Sequence, residues 1–243
     1  MDLEKIKKKI KEGVADLLFP KECLGCGKEG RYICDNCNIF LGESALICPV
    51  CDKSNFTGKT HSQCLNKNGL DGLTNIWEYE GITRTALHDI KYKGNFDIAS
   101  EFMGKAFLIM RKDIARFENF LSFVFSEGVY ITYAPMYIKK EKRRGFNQSK
   151  FIAKALGKIT GKKTIDLLEK IKDTPSQTNL DKGERIKNVK DCFKILPNLT
   201  FLPQKVILVD DVWTTGSTMK ECTKILKIAG VGQVWGFTLF RDV

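Results

Sequence analysis

No stretch of this 243-residue chain approaches the roughly 20 consecutive apolar residues that a membrane-spanning helix needs, so no transmembrane segment is expected. The first twenty residues carry charges throughout, where the apolar core of an export signal would lie, and a secreted protein is not expected either. Cysteine is scarce over most of the chain: of nine, only Cys192 and Cys222 lie outside Cys23 to Cys64, and those two read as small buried apolar side chains. In a chain without an export signal, such crowding favours metal binding over disulfides. There is no P-loop and no dinucleotide fingerprint. The glycine-rich stretch Gly230 to Gly236 has the wrong spacing and leads from a helix into a strand. The expectation these absences leave is a cytoplasmic protein, with a peripheral place at the inner face of the membrane open to it.

What is present bounds the answer further. The length allows one sizeable core plus a small satellite module. Forty Lys and Arg against 29 Asp and Glu give a formal charge of +11. That excess favours anionic partners, phosphates or nucleic acid, although a lysine-rich proteome produces the same balance.

The chain is organised around Val206 to Met219, VILVDDVWTTGSTM. Val206 to Val209 is a continuous apolar and β-branched run, suited to a strand buried on both faces of a parallel sheet. Ligands of open parallel sheets bind beyond the carboxyl ends of the strands, where Asp210 and Asp211 are expected. Thr214, Thr215, Ser217 and Thr218 then offer hydroxyl donors, Gly216 lets backbone approach a ligand closely, and the following helix aims free N–H groups at the same spot. Two adjacent carboxylates repel unless something positive or hydrogen-bonding takes up their charge. A sugar diol and a magnesium ion would do so. The bland alternative is an ordinary strand, turn and capped helix, since Asp, Ser and Thr are also favoured caps.

Taken in order, Leu3, Ile6, Ile10, Val14, Leu17 and Leu18 define a basic amphipathic helix over residues 3 to 18, ended by Pro20. It would pack on its own protein or lie on a membrane. Cys23-x-x-Cys26 and Cys34-x-x-Cys37 form two knuckles, and Cys48-x-x-Cys51 with His61-x-x-Cys64 two more. Eight ligands imply two tetrahedral sites, with zinc the natural occupant. Interleaved pairing remains open at this stage, as does a solvated role for His61. A segment this short and poor in large apolar residues needs metal to fold. The expected division is therefore an N-terminal helix (1–20), a double zinc-ribbon module (21–69) and a main domain (70–243).

In the main domain the patterns give a strand at Asn75 to Tyr79, helices at Thr83 to Tyr92 and Asp97 to Phe117, and strands at Phe120 to Phe125 and Val129 to Tyr133. A basic loop, Lys139 to Gln148, precedes a helix at Asn147 to Ile159. Residues 171 to 190 read as a polar loop able to close over a ligand, with Arg185 the side chain to reach in. A strand at Phe193 to Leu196, the central strand, a helix at Thr218 to Ala229 and a strand at Val234 to Phe240 complete an α/β fold, a parallel sheet with helices on both faces.

The acidic pair followed by the Thr/Ser/Gly turn resembles the signature by which type I phosphoribosyltransferases bind phosphoribosyl pyrophosphate (PRPP). More of the chain is similar to the ComF (GntX-like) competence-protein family: Arg144-Gly145-Phe146-Asn147-Gln148, the Thr-Pro-x-Gln-x-x-Leu segment from Thr174 to Leu180, Glu184 to Val189, the Lys91-Tyr92-Lys93-Gly94 turn, and the cysteine module. Ala134-Pro135-Met136 stands where that family usually has Pro-Val-Pro, and His61 where its modules usually carry cysteine. The resemblance implies a type I phosphoribosyltransferase-like domain behind a zinc ribbon. It implies that Asp210 and Asp211 grip the ribose diol with magnesium, and that Thr214 to Thr218 hold the 5-phosphate. Arg144, Lys139 and Arg143 would serve the pyrophosphate, and Arg185 would reach in to the ligand. Two functions follow. One is a PRPP-binding protein of DNA uptake that meets single-stranded DNA or a helicase-like partner, with Tyr137 and Phe146 available for stacking. The other is an active phosphoribosyltransferase for an acceptor the sequence does not name.

Overall fold

The structure, a computed structural model, describes residues 20–174 and 189–242. The N-terminal amphipathic helix and Arg185 lie outside the described residues. Four strands form one parallel sheet: β1 (Gly72–Glu78), β2 (Val129–Tyr133), β5 (Lys205–Trp213) and β6 (Gln233–Arg241), in the order β1-β6-β5-β2. The expected α/β parallel sheet is therefore present. Successive residues of β5 feed opposite faces, as a period of two demands. Ile207 and Val209 join one apolar cluster with α2 (Gly81–Lys93), α3 (Phe96–Lys112), α4 (Ile114–Phe125) and α6 (Gln148–Thr160). Val206 and Leu208 join a second cluster with α7 (Ser217–Ile228). Helices thus cover both faces.

Both edges of the sheet are closed. The cysteine module, which includes the short helix α1 (Asp35–Asn38), lies along β1: Ser44 N–H donates to the Ile76 carbonyl and Leu73 N–H to the Gly58 carbonyl. Ile33 and Leu46 of this module are buried in the same cluster as Ile76 and Trp77. Further links are the Glu101 carboxylate, which accepts from Tyr32 and Ile33 N–H at 3.2 and 3.1 Å, and Arg116, which bonds Glu43 and the Ser44 carbonyl. At the other edge, Ile131 exchanges backbone bonds with Lys163 and Ile165.

Four expectations need correction. Phe120 to Phe125 is not a strand but the end of α4. Its apolar run is continuous and so ambiguous by pattern, but Phe117, Phe120 and Val124 are buried at helical spacing, and the Asp113 carboxylate caps the helix by accepting from Arg116 N–H. The helix expected over Asp97 to Phe117 accordingly breaks at Asp113 into α3 and α4. The basic run is a helix, α5 (Ile138–Arg144), rather than a loop. Lys, Arg and Glu are good helix formers, the three cations of its last turn suit the negative end of the helix dipole, and Gly145 closes it in the left-handed region at φ 86°. Finally, Phe193 to Ile195 (β4) does not belong to the parallel sheet. It pairs antiparallel with β3 (Leu168–Lys170), a strand too short to show a pattern, and this ribbon covers the α7 face.

Candidate functional site

The strands end at different heights, and that difference makes the site. β2 stops at Tyr133, opposite Val209, whereas β5 runs on beside β6 to Trp213. Contrary to the sequence-based expectation, Asp210 and Asp211 therefore lie within β5 rather than beyond it. As neighbours on a strand they project to opposite faces, which separates two like charges without any loop. The β5 edge that β2 leaves open is filled by the start of α6. Ala134 N–H donates to the Val209 carbonyl, Asn147 Nδ2 to the Ala134 carbonyl, and the Asn147 side chain caps α6 by accepting from Ser149 and Lys150 N–H.

This cap aims two side chains at the acidic pair. Ser149 Oγ donates to Asp210 Oδ1 at 2.7 Å and Gln148 Nε2 to Asp211 Oδ2 at 2.8 Å. Lys91, from the last turn of α2, places its ammonium 3.0 Å from the same Asp211 oxygen. Asp211 is buried at 4% exposure, while Asp210 is half-buried. The two carboxylates thus differ in station. Asp211 is locked into protein contacts, whereas Asp210 is the more open. Burial, and then the negative charge of Asp211, push the Asp210 carboxyl up to about 7 despite opposing help from Ser149, the Asp211 N–H and Lys91. Burial lowers Lys91, but the Asp211 charge outweighs it and the ammonium is held above its ordinary value.

Beyond Asp211 the chain turns through Thr214, Thr215 and Gly216 into α7. Gly216 is left-handed at φ 67° and packs on the Trp213 indole so closely that a Cβ there would lie 2.2 Å from the ring. The hydroxyls organise the turn: Thr215 Oγ1 lies 3.0 Å from Ser217 Oγ and accepts from Ser217 N–H at 3.3 Å. Thr218 sits in the first turn of α7. The result is a hydroxyl-rich turn at the N-terminus of a 12-residue helix, a place where N–H groups and the helix dipole favour an anion.

Arg144 is tied to the same site. Its Nη1 donates to Gln148 Oε1 at 2.9 Å, and its guanidinium lies 5.6 Å from the centre of the Tyr92 ring. A continuous path thus runs from Tyr92 through Arg144 and Gln148 to Asp211 and back to Lys91 on the same helix. Lys139 and Arg143, by contrast, are exposed on α5, and Lys140 turns away to Asp173 at 2.9 Å and to the Thr174 carbonyl. Lys170 of β3 donates to Thr174 Oγ1 at 2.8 Å; its burial holds it below the usual lysine range. Lys91, Gln148, Ser149 and Lys170 carry weight the sequence reading did not give them. Only the motifs Lys91-Tyr92-Lys93-Gly94 and Asn147-Gln148-Ser149 could have pointed to the first three.

The cysteine knuckles form two groups. Cys23, Cys26, Cys34 and Cys37 make one, and Cys48, Cys51, His61 and Cys64 the other, with the ligand atoms of each group within 4.8 Å of one another. His61 Nδ1 lies 3.5 Å from Cys51 Sγ. Burial raises the Cys23 thiol, but N–H groups of Cys34, Gly25 and Cys26 overcome it and hold it at about 6. Burial and the neighbouring thiols push Cys37 up to about 12 and Cys64 to about 11. Four sulfurs this close cannot all be thiolates without a cation between them, and the donor sets fit zinc.

No protein-family model matches the chain. Among curated proteins it is 26% identical over 228 residues to Competence protein ComFC of Streptococcus pneumoniae, an alignment covering 90% of this chain and 100% of that one. It is 35% identical over 106 residues to Competence protein F of Haemophilus influenzae, covering 42% of this chain and 46% of the relative. These likenesses support the resemblance to the ComF family. DNA utilization protein YhgH of Escherichia coli is 26% identical over 212 residues, or 84% of this chain and 88% of the relative. The Haemophilus alignment spans about half the length of that relative, whereas the other two span most of theirs. Among the described residues no helix is long and apolar enough to cross a membrane.

Proposed function

We propose that this chain is a ComF-family, PRPP-binding protein of DNA uptake in natural competence, acting in the cytoplasm with single-stranded DNA or a DNA-uptake helicase as partner. The DNA-uptake part rests on the names of its relatives. The PRPP part rests on one observation: the half-buried Asp210 stands on β5 just past the end of β2, a few residues before a hydroxyl-lined helix N-terminus. In this reading residues 70–243 form a phosphoribosyltransferase-like domain, and residues 21–69 a zinc module that buttresses β1.

The chemistry of the site follows from its parts. Asp210 would accept hydrogen bonds from the ribose hydroxyls, with Ser149 fixing its orientation. Backbone N–H groups at the start of α7, with the hydroxyls of Thr214, Thr215, Ser217 and Thr218, would take the 5-phosphate. Arg144 would face the pyrophosphate with Lys139 and Arg143 nearby on α5, and Arg185 would come from the segment that follows Thr174. Carboxylate oxygens suit magnesium, and an ion arriving with PRPP would meet Asp210 first, because the Asp211 Oδ2 is already taken by Lys91 and Gln148. Such an ion would neutralise charge on the diphosphate.

The second reading is an active phosphoribosyltransferase, for which the same groups would position the ribose and stabilise departing pyrophosphate. Calorimetry with PRPP and magnesium, followed by a pyrophosphate-release assay over candidate amines and bases, separates the two. Binding without release supports the binding protein, release with one acceptor supports the enzyme, and absence of binding contradicts both.

A further inference from the structure

The outer face of α2 carries a stripe of side chains to which the PRPP reading gives no role. Arg84, His88 and Tyr92 recur every four residues, which sets them on one side of the helix, and all three are exposed. The His88 side chain is 62% and Tyr92 63% exposed, with ring centres 4.8 Å apart and planes tilted by 42°. The Arg84 guanidinium lies 5.8 Å from the centre of the Tyr79 ring, and that of Arg144 5.6 Å from the centre of Tyr92. The acidic neighbour Asp89 is neutralised, because its buried carboxylate pairs with Lys93 at 2.9 Å. At its Tyr92 end the stripe meets α5: Arg144 belongs to the last turn of that helix, where Lys142 and Arg143 are exposed. The two aromatics that the sequence offers for stacking are engaged elsewhere. Phe146 packs edge-on against Phe96 at 4.7 Å, and the half-buried Tyr137 pairs its backbone with Lys170.

Single-stranded nucleic acid requires two things of a surface, flat rings on which bases stack and cations that follow the backbone, and this stripe supplies both. Resting on the single-stranded DNA partner of the reading above and going beyond it, we propose that the Arg84, His88 and Tyr92 stripe is where that DNA lies. His88 and Tyr92 stack on bases, while Arg84 at one end and Lys142 and Arg143 at the other meet phosphates. DNA so placed ends beside the PRPP site, because Arg144, which covers Tyr92, also bonds Gln148, the residue that donates to Asp211.

The test is fluorescence anisotropy of the full chain with two dye-tagged probes of equal length, an oligo-dT and a chain of abasic deoxyribose phosphates, at several salt concentrations. Wild type should bind oligo-dT about fivefold or more tighter than the abasic chain. Tyr92→Ala and His88→Ala should each weaken oligo-dT binding by about fivefold or more, with abasic affinity and salt slope unchanged, and Tyr92→Phe should retain wild-type affinity. Arg84→Ala should weaken both probes alike and flatten the salt slope by about 0.7 log units per log of salt. Folding is checked by circular dichroism. Should Tyr92→Ala fail to fold, His88→Ala carries the test, because His88 makes no contact with Arg144 or the acidic pair. Folded Tyr92→Ala and His88→Ala proteins that bind oligo-dT like wild type, or that lose both probes equally, overturn the stacking stripe while leaving the DNA partner intact. A wild type that binds neither probe overturns both.

Discussion

The indole of Trp213 occupies the space into which a side chain at Gly216 would project, at a position whose φ of 67° already disfavours one. The strand end thereby fixes the turn that follows it. Strain and steric overlap act together here, since a left-handed alanine costs about 1 kcal/mol before any clash is counted.

Gly216→Ala should therefore open the turn. We expect PRPP affinity to fall by tenfold or more, with melting temperature lowered by several degrees, both read on one preparation by calorimetry and thermal denaturation. Because the sheet lies outside the displaced turn, far-ultraviolet circular dichroism should remain close to wild type.

Asp210 gives a pH dependence whose sign can be worked out. Its folded value of about 7 lies above the roughly 3.9 of an unfolded aspartate, so between those values the folded state binds more protons than the unfolded state. Stability from this group is present at low pH and declines as pH rises from about 4 to about 7. Ligand affinity should move the other way, rising from pH 6 to 8 as the carboxylate ionises. In Asp210→Asn both slopes should flatten, as followed by urea titrations and calorimetry across that range.

Metal analysis should return about two zinc ions per chain. His61→Ala should weaken or empty the second group, and chelation of both should lower the melting temperature, because residues 42–60 also close the edge of β1. One equivalent, unchanged by His61→Ala, would mean that only the first four cysteines form a site.

The α5 cations divide by their partners. Arg144 is bound to Gln148, and Lys140 to Asp173, whereas Lys139, Lys142 and Arg143 are exposed. Alanine at the three exposed positions should flatten the salt dependence of single-stranded DNA binding, by about 0.7 log units per log of salt for each replaced cation that meets a phosphate. Arg144→Ala should weaken PRPP binding, and by more than alanine at Lys139 or Arg143. Gel shifts at several salt concentrations, beside calorimetry, separate the two.

Much of this could be read in the sequence for definite reasons. The run Val206 to Val209 is buried on both faces, and its composition says so. The Cys-x-x-Cys spacings are short-range, so the chain itself brings the ligands together. Failures came where local pattern is degenerate or the partners are distant. FLSFVF suits a strand or a helix, and only its packing on the sheet made it part of α4. The basic run reads as a loop because its closely spaced charges show no apolar period, although Lys, Arg and Glu are good helix formers. Lys91 and Asp211 are far apart in sequence, and nothing short of the fold tells that they meet.

The central claim is that the acidic pair of β5 serves PRPP. Its most direct test is calorimetry of PRPP with magnesium on wild type and on the Asp210→Asn, Asp211→Asn double variant, with folding confirmed by circular dichroism, since Lys91 loses its partner there. The account predicts measurable wild-type binding and none in the folded variant. Wild-type affinity retained by the folded double variant would contradict it.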